Sequence, residues 1–449
     1  MSVQTHVNSY DRPSSLDVGA GRLLLETSGG VALRARSRHP RFFDGMLVHP
    51  QVAGSALRQV AQVAAASYVR RDRNAGGLDP VVTSDGVRLR FESFSLCGGV
   101  LARLDVLPEG LDGDVLDRGT TNVDVNEPLR RMLSRLSPAG MLHLSVGTEG
   151  LVATTETGAV IETKVPLPAR WLRGFAEAAH IGASFEPRLQ VSGAEGLRFL
   201  TGLGRSASGW LLPAGRGLRL SSRPAPGAVF VSGSQRLESL LPLLPHASTL
   251  RAYGPTGDQD VSSAASAWEV VLPGARYLLT LSPEPGRGFS GEGAGLAALA
   301  AARTTDDAEA VAAHLGFQPV LDPDLLADAS GLSRERVRTA LACLGTTGRV
   351  GYDVTEAAWF HRELPYDAAA VARLNPRLRR AEALVSDQAV RLVDESSARV
   401  RGSETTHTVH TEPDGRTSCT CDWWVTHRGG RGPCSHELAV QMTRARGRG

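Results

Sequence analysis

Three cysteines and a histidine near the C-terminus form the one constellation that commits this 449-residue chain to definite chemistry: Cys419-Thr-Cys421, twelve intervening residues, then Cys434-Ser-His436. Two cysteines one residue apart share a face of an extended strand, because strand side chains alternate with a period of two. Their sulfurs can therefore reach the same ion. The run Thr406 to Glu412, the turn signal Pro413-Asp414-Gly415 and the run Arg416 to Thr420 predict a hairpin that presents the pair. Pro433-Cys434-Ser435 opens the apolar stretch Leu438, Ala439, Val440, Met442, which predicts a helix whose start carries Cys434 and His436 back toward the hairpin. Three thiolates and an imidazole are a tetrahedral structural set for zinc. The bland alternative is four small core residues, and a vicinal Cys-x-Cys can also form a disulfide.

The arrangement resembles the SWIM zinc finger, whose pattern is Cys-x-Cys, a variable spacer, then Cys-x-His. The flanks of the bacterial version fit too: Asp422-Trp423-Trp424 after the second cysteine, Arg431-Gly432-Pro433 before the third, and an apolar helix after the histidine. The resemblance covers roughly residues 398 to 445. His407, His410 and His427 are near enough in sequence to substitute as ligands, and it is the family pattern that assigns the fourth place to His436. Four protein ligands fill the coordination sphere of zinc, so the expected role is structural, folding a segment too small to bury much core. The resemblance also implies binding to DNA or to other proteins.

Composition bounds the rest. The length allows two to four domains, the apolar fraction is ordinary, and no run is long enough to span a membrane or act as a signal sequence. A cytoplasmic location is expected. Cys97 and Cys343 lie in apolar contexts suited to reduced, buried thiols. A net charge of +2 does not mark a nucleic-acid binder. Lys164 is the only lysine among many arginines, so a phosphate-binding loop of the Gly-x-x-x-x-Gly-Lys-Ser/Thr type is excluded.

A second constellation precedes the cysteines. Asp322-Pro323 starts a short helix through Leu325, Leu326 and Ala329, Ser330-Gly331 supplies a turn, and Ser333 caps a second helix with Val337, Leu341 and Leu344 on one face. Strand-like pieces at Arg349 to Val354 and Ala357 to Phe360 complete a winged-helix-like pattern. In nucleic-acid-binding members of such folds the second helix enters the major groove, which would place Arg334, Arg336 and Arg338 on DNA. The same architecture also serves as a protein-docking module. Arg428 and Arg431 in the cysteine spacer, with Arg444, Arg446 and Arg448 in the tail, are further candidates for phosphate contact. Asp367 to Val393 reads as a helical connector broken at Asn375-Pro376, with a basic cluster at Arg377, Arg379 and Arg380.

The first three hundred residues alternate strand-like runs with helices expected at Pro50 to Arg71, Pro128 to Leu136 and Pro168 to His180. The expected class is thus α+β multidomain: an N-terminal α+β domain (1–185), a second (186–290), a winged-helix-like module (305–365), a helical connector (366–397) and a C-terminal ββα finger (398–449). No catalytic signature is persuasive. Gly119 to Asn126 is polar but reads as a strand ending in a helix cap, and His39, Asp44, His49, His143 and His180 lack an evident nucleophile. The chain also looks like actinobacterial SWIM proteins encoded beside MoxR-type AAA+ ATPases and von Willebrand factor A proteins. Three hypotheses follow: a non-enzymatic zinc adaptor binding nucleic acid, protein or both; a protein-only assembly factor for an AAA+ complex; and an enzyme with an unrecognised N-terminal site.

Overall fold

The computed structural model describes residues 15–17, 22–24, 41–68, 80–147, 150–164, 167–204, 206–255, 264–293, 295–300, 304–364, 375–413 and 415–447. His39, residue 365 of the expected winged-helix-like module, residues 366–374 of the expected connector, Asp414 of the hairpin turn and Arg448 lie outside them. The architecture is mixed α+β, with several sheets and eleven helices among the described residues.

The largest sheet has eight antiparallel strands, in the edge-to-edge order Phe185–Ser192, Thr249–Pro255, Ser266–Leu272, Ala275–Leu281, Val100–Val106, Leu89–Phe94, Val81–Ser84 and Gly119–Asn122. Ala275–Leu281 pairs with Val100–Val106 from Val106↔Ala275 to Val100↔Leu281. The division expected near residue 185 is therefore spanned by one continuous sheet. The two faces of that sheet differ in kind. Val82, Phe91, Leu104, Tyr277, Val270 and Leu250 stand opposite one another across six strands and belong to the main hydrophobic core, against which helix Pro50–Ala65 packs. On the opposite face the register aligns Glu92 with Arg103, and Arg90 with Asp105 and Arg276. Alternation of this kind, Leu-Arg-Phe-Glu-Ser-Phe in Leu89–Phe94, normally marks a strand with one face in water. Here all six residues are buried.

Two elements cover the polar face. Helix Ala169–Gly182 lays Trp171, Leu172 and Phe175 against Phe94, Phe289 and Leu364. The second cover is a hairpin, Val350–Asp353 with Ala358–His361, that follows two helices, Pro323–Ser330 and Arg334–Thr346. Asp322 caps the first helix, Gly331 at φ 70° supplies the left-handed turn after it, and Ser333 caps the second. Those helices and helix Thr304–Ala312 share a separate core of Val311, Leu326, Val337, Leu341 and Leu344.

The hairpin inserts Asp353 into the charged face. Its fully buried carboxylate receives Arg90 at 3.0 Å, Arg103 at 2.7 Å and Arg276 at 2.6 Å. Neighbouring Asp105 takes Arg90 at 2.6 Å and Arg276 at 2.8 Å, Glu92 pairs with Arg362, and Arg276 also reaches Glu356. Burial alone would raise both aspartates. Arg103, Arg90 and Arg276 outweigh it and hold both below the usual carboxylate range. Every charge in this seam has a counter-charge, which is the condition for burying charge at all.

The C-terminal part is a four-stranded antiparallel sheet in chain order, Val390–Leu392, Ser397–Arg401, Thr406–Thr411 and Thr417–Cys419, followed by helices Asp422–His427 and Ser435–Gly447. The expected hairpin and final helix are present. Two strands precede them, starting upstream of residue 398, and a short helix intervenes. Asn375-Pro376, expected as a helix break, is a helix start: the Asn375 side chain accepts from the amides of Arg377 and Leu378 and opens Pro376–Ser386. Two smaller expectations also change. Asn126 sits at the cap position of Glu127–Ser134 but its side chain bonds Glu162 instead of capping, and Cys97 is half-buried while Cys343 is buried. Among the described residues no helix is long and apolar enough to cross a membrane.

Candidate metal centre

The hairpin that carries the first cysteine pair is set by register. Val409 faces Cys419 and Thr411 faces Thr417, the turn closes through Glu412 and Arg416, and Gly415 takes the left-handed conformation at φ 85°. Alternation then puts Cys419 on the inner face with Ala398, Val400 and Val409, against Val440 of the last helix. Cys421 follows on the same side and starts helix Asp422–His427, its carbonyl accepting the amide of Val425.

The second pair is placed by the start of Ser435–Gly447. Glu437, almost wholly buried, accepts the Cys434 amide at 2.7 Å with one carboxylate oxygen and the Thr417 hydroxyl at 2.6 Å with the other. Its own amide donates to Cys434 Sγ at 3.4 Å. One side chain thus ties the helix start to the strand bearing Cys419. Sequence reading missed Glu437, although an acid three residues after a helix-opening residue is a capping-box signal.

Cys419, Cys421, Cys434 and His436 are all buried, and their donor atoms lie within 4.8 Å of one another. His436 Nδ1 is 3.7 Å from Cys419 Sγ and 4.0 Å from Cys434 Sγ. Ligands at ordinary zinc–sulfur and zinc–nitrogen distances in a tetrahedron stand roughly 3.6 Å apart. The four residues fit a single ion. Sharing with Cys419, then burial, pushes the Cys434 thiol strongly up, burial raises Cys421, and burial beside His407 and Arg380 lowers His436 to about 4. Sulfurs this close resist ionising together unless a cation sits among them, and a bound dication inverts that preference.

The other nearby histidines stand outside the set. His407 stacks on the His436 ring at 4.3 Å, His410 is exposed beside Glu412, and His427 contacts the Trp423 ring.

The spacer between the cysteine pairs is fastened to the rest of the molecule. Arg377 donates to the carbonyls of Arg431, Pro433 and Glu292 and lies over Trp423. Arg287 donates to the Gly430 carbonyl and Arg431 to that of Gly291. At Gly432, φ 74°, a Cβ would sit 2.2 Å from the Gly293 carbonyl oxygen, so only glycine fits this contact.

The expected phosphate-contacting arginines have varied fates. Arg334 pairs with Asp324 at 3.1 Å, Arg336 takes Asp307 through two nitrogens, Arg428 lies over Trp424, and Arg431 is engaged as above. Arg338 is exposed. Arg444 donates to the Thr411 hydroxyl. Among the catalytic candidates, Asp44 receives His143, Ser145 and Arg41, so the donors converge on the carboxylate. His180 is half-buried, its ring edge-on to Trp359.

No family model matches this chain, and no curated protein matches it. Among solved structures, the Proliferating Cellular Nuclear Antigen from Entamoeba histolytica aligns with a TM-score of 0.37 and 12% identity, over 54% of this chain and 99% of that one. A likeness at this level does not establish a common fold.

Proposed function

We propose that the chain is a non-enzymatic adaptor whose C-terminal module is a SWIM-type zinc finger, with the two helices and hairpin of residues 321–361 acting as a winged-helix-like companion. The reading rests on one observation: three cysteines and one histidine supply four buried donors within reach of a single ion. Four protein ligands leave no coordination position for water or substrate, which suits a metal that builds structure. Three sulfurs and an imidazole favour zinc over the oxygen-seeking divalent ions. The module then offers surfaces to a nucleic acid or protein partner. The winged-helix-like part keeps the exposed N-terminal half of Arg334–Thr346 for contact, while its hairpin is committed through Asp353 to the large sheet.

Metal analysis of the purified chain is the test. One equivalent of zinc is expected, lost on Cys434→Ala together with the protection of the Ser397–Arg401 and Thr406–Thr411 amides, while the eight-stranded sheet stays protected in hydrogen exchange. Zinc content unchanged by Cys434→Ala would overturn the ligand set.

A further inference from the structure

The four-stranded sheet has a second face, turned away from the cysteines. Pairing places Arg391 directly opposite Arg399, Arg399 opposite Thr408, and Arg401 opposite Thr406. All five side chains are exposed. His410 and Thr420 stand on the same face, and the strand positions that make it up hold no carboxylate. Acids sit at its margins: Glu395 and Glu404 lie in the turns that join these strands, Glu412 is beside His410, and Asp394 is engaged by Ser396 and Ser397.

Two arginines directly opposite in an antiparallel pair repel each other. Elsewhere the chain answers such charges from within: Arg90, Arg103 and Arg276 have Asp105 and Asp353, Arg336 has Asp307, and Arg334 has Asp324. Arg391, Arg399 and Arg401 have no carboxylate partner among the described residues. Water and salt screen the repulsion, and an anion spanning the pair turns it into attraction. Hydroxyls at Thr406, Thr408 and Thr420 add neutral donors of the kind that contact phosphate oxygens. No Phe, Tyr or Trp lies on these strands, so the face lacks the stacking platform that single-strand binders present to bases.

We propose that this outer face, through Arg391, Arg399 and Arg401, docks the phosphodiester backbone of a nucleic acid without reading its sequence. The proposal rests on the adaptor reading and gives it a partner and a surface. The cysteines face the opposite side of the sheet, so the metal shapes the surface without touching the partner. Because these arginines differ from those of the winged-helix-like helix and the spacer, the two assignments can be tested against each other.

The experiment titrates the full chain, its metal content measured, against a labelled duplex of arbitrary sequence over a salt series. R391Q/R399Q/R401Q, its three-lysine counterpart and R334Q/R336Q/R338Q are run alongside. The glutamine variant of the outer face is expected to bind at least tenfold more weakly at low salt and to lower the slope of log affinity against log salt by about 2 to 3. The lysine variant should restore most of both, which a merely structural role would not do. Metal content and circular dichroism should match the parent in all variants. Absence of duplex binding by metal-loaded protein, an unchanged slope in the glutamine variant, or equal binding of polyglutamate at matched charge would each overturn the proposal. A chain that carries no metal yet loses duplex binding on the glutamine substitutions would uphold this surface and defeat the zinc reading instead.

Discussion

The metal centre and the ionic seam under the hairpin both gather groups that could not be buried singly, and they do so over very different distances in sequence. Four candidate ligands come from residues 419 to 436, whereas Asp353 meets Arg90 and Arg103 across 263 and 250 residues. A local site must encode its geometry in spacing, and the spacing can be read. A remote site is encoded in two ordinary patterns that acquire meaning only when the sheet and the hairpin meet. The cysteine–histidine cluster would need a cation from outside to make its donors compatible, while the seam balances carboxylates and guanidinia from within.

The sharpest way to break the comparison is at Asp353. Asp353→Ala leaves three guanidinia buried beside a single remaining aspartate, and removing one partner of a buried ion pair costs about 3 to 5 kcal/mol. Denaturant unfolding should show that loss with the metal content unchanged. A loss below about 1 kcal/mol would mean that the seam is open to water.

Acid separates the regions next. The seam aspartates have depressed folded-state values, so their stabilisation is present above the ordinary carboxylate range near 4 and disappears only as pH falls through the lower folded values. Two histidines, His361 in the hairpin and His180 beside it, behave differently. Burial holds His180 at about 4 and His361 at about 3, so both stay neutral in the folded protein while the unfolded chain takes up protons near 6.5. The unfolded state then binds more protons, and stability should fall as pH drops from 6.5 toward 4, by about 2 kcal/mol per ring at pH 5. Unfolding of His180→Phe and His361→Asn variants across that range tests it, each substitution being expected to flatten the pH profile.

The smallest effect is at Glu437, which touches no metal but holds both halves of the ligand set. Glu437→Gln keeps the shape and removes the charge, and should weaken zinc binding by about tenfold in chelator competition, the lower end of what orienting partners of metal ligands contribute. Unchanged affinity would reduce Glu437 to a helix cap.

What the sequence disclosed follows the same division. The cysteine pairs, the hairpin before them, the helix after them and the two-helix-plus-hairpin unit all follow from short-range spacing, caps and turns, and the structure places each close to its expected residues. Leu89–Phe94 carries the pattern of a half-exposed strand, and nothing within those six residues announces that Asp353 will cover Arg90. Arg334 and Arg336 look available in sequence because Asp324 and Asp307 become their partners only when the helices pack. Arg391 and Arg399 are eight positions apart and look unremarkable until the register sets them side by side.

The pairing of Val100–Val106 with Ala275–Leu281 ties the two ends of the large sheet's sequence span into one unit. Nascent chain leaving the ribosome completes Val100–Val106 long before its neighbour exists, and that strand edge, apolar on one face and charged on the other, stays open while some 170 further residues are made. Until Ala275–Leu281 emerges, the backbone donors and acceptors along that edge of Val100–Val106 have no partner strand.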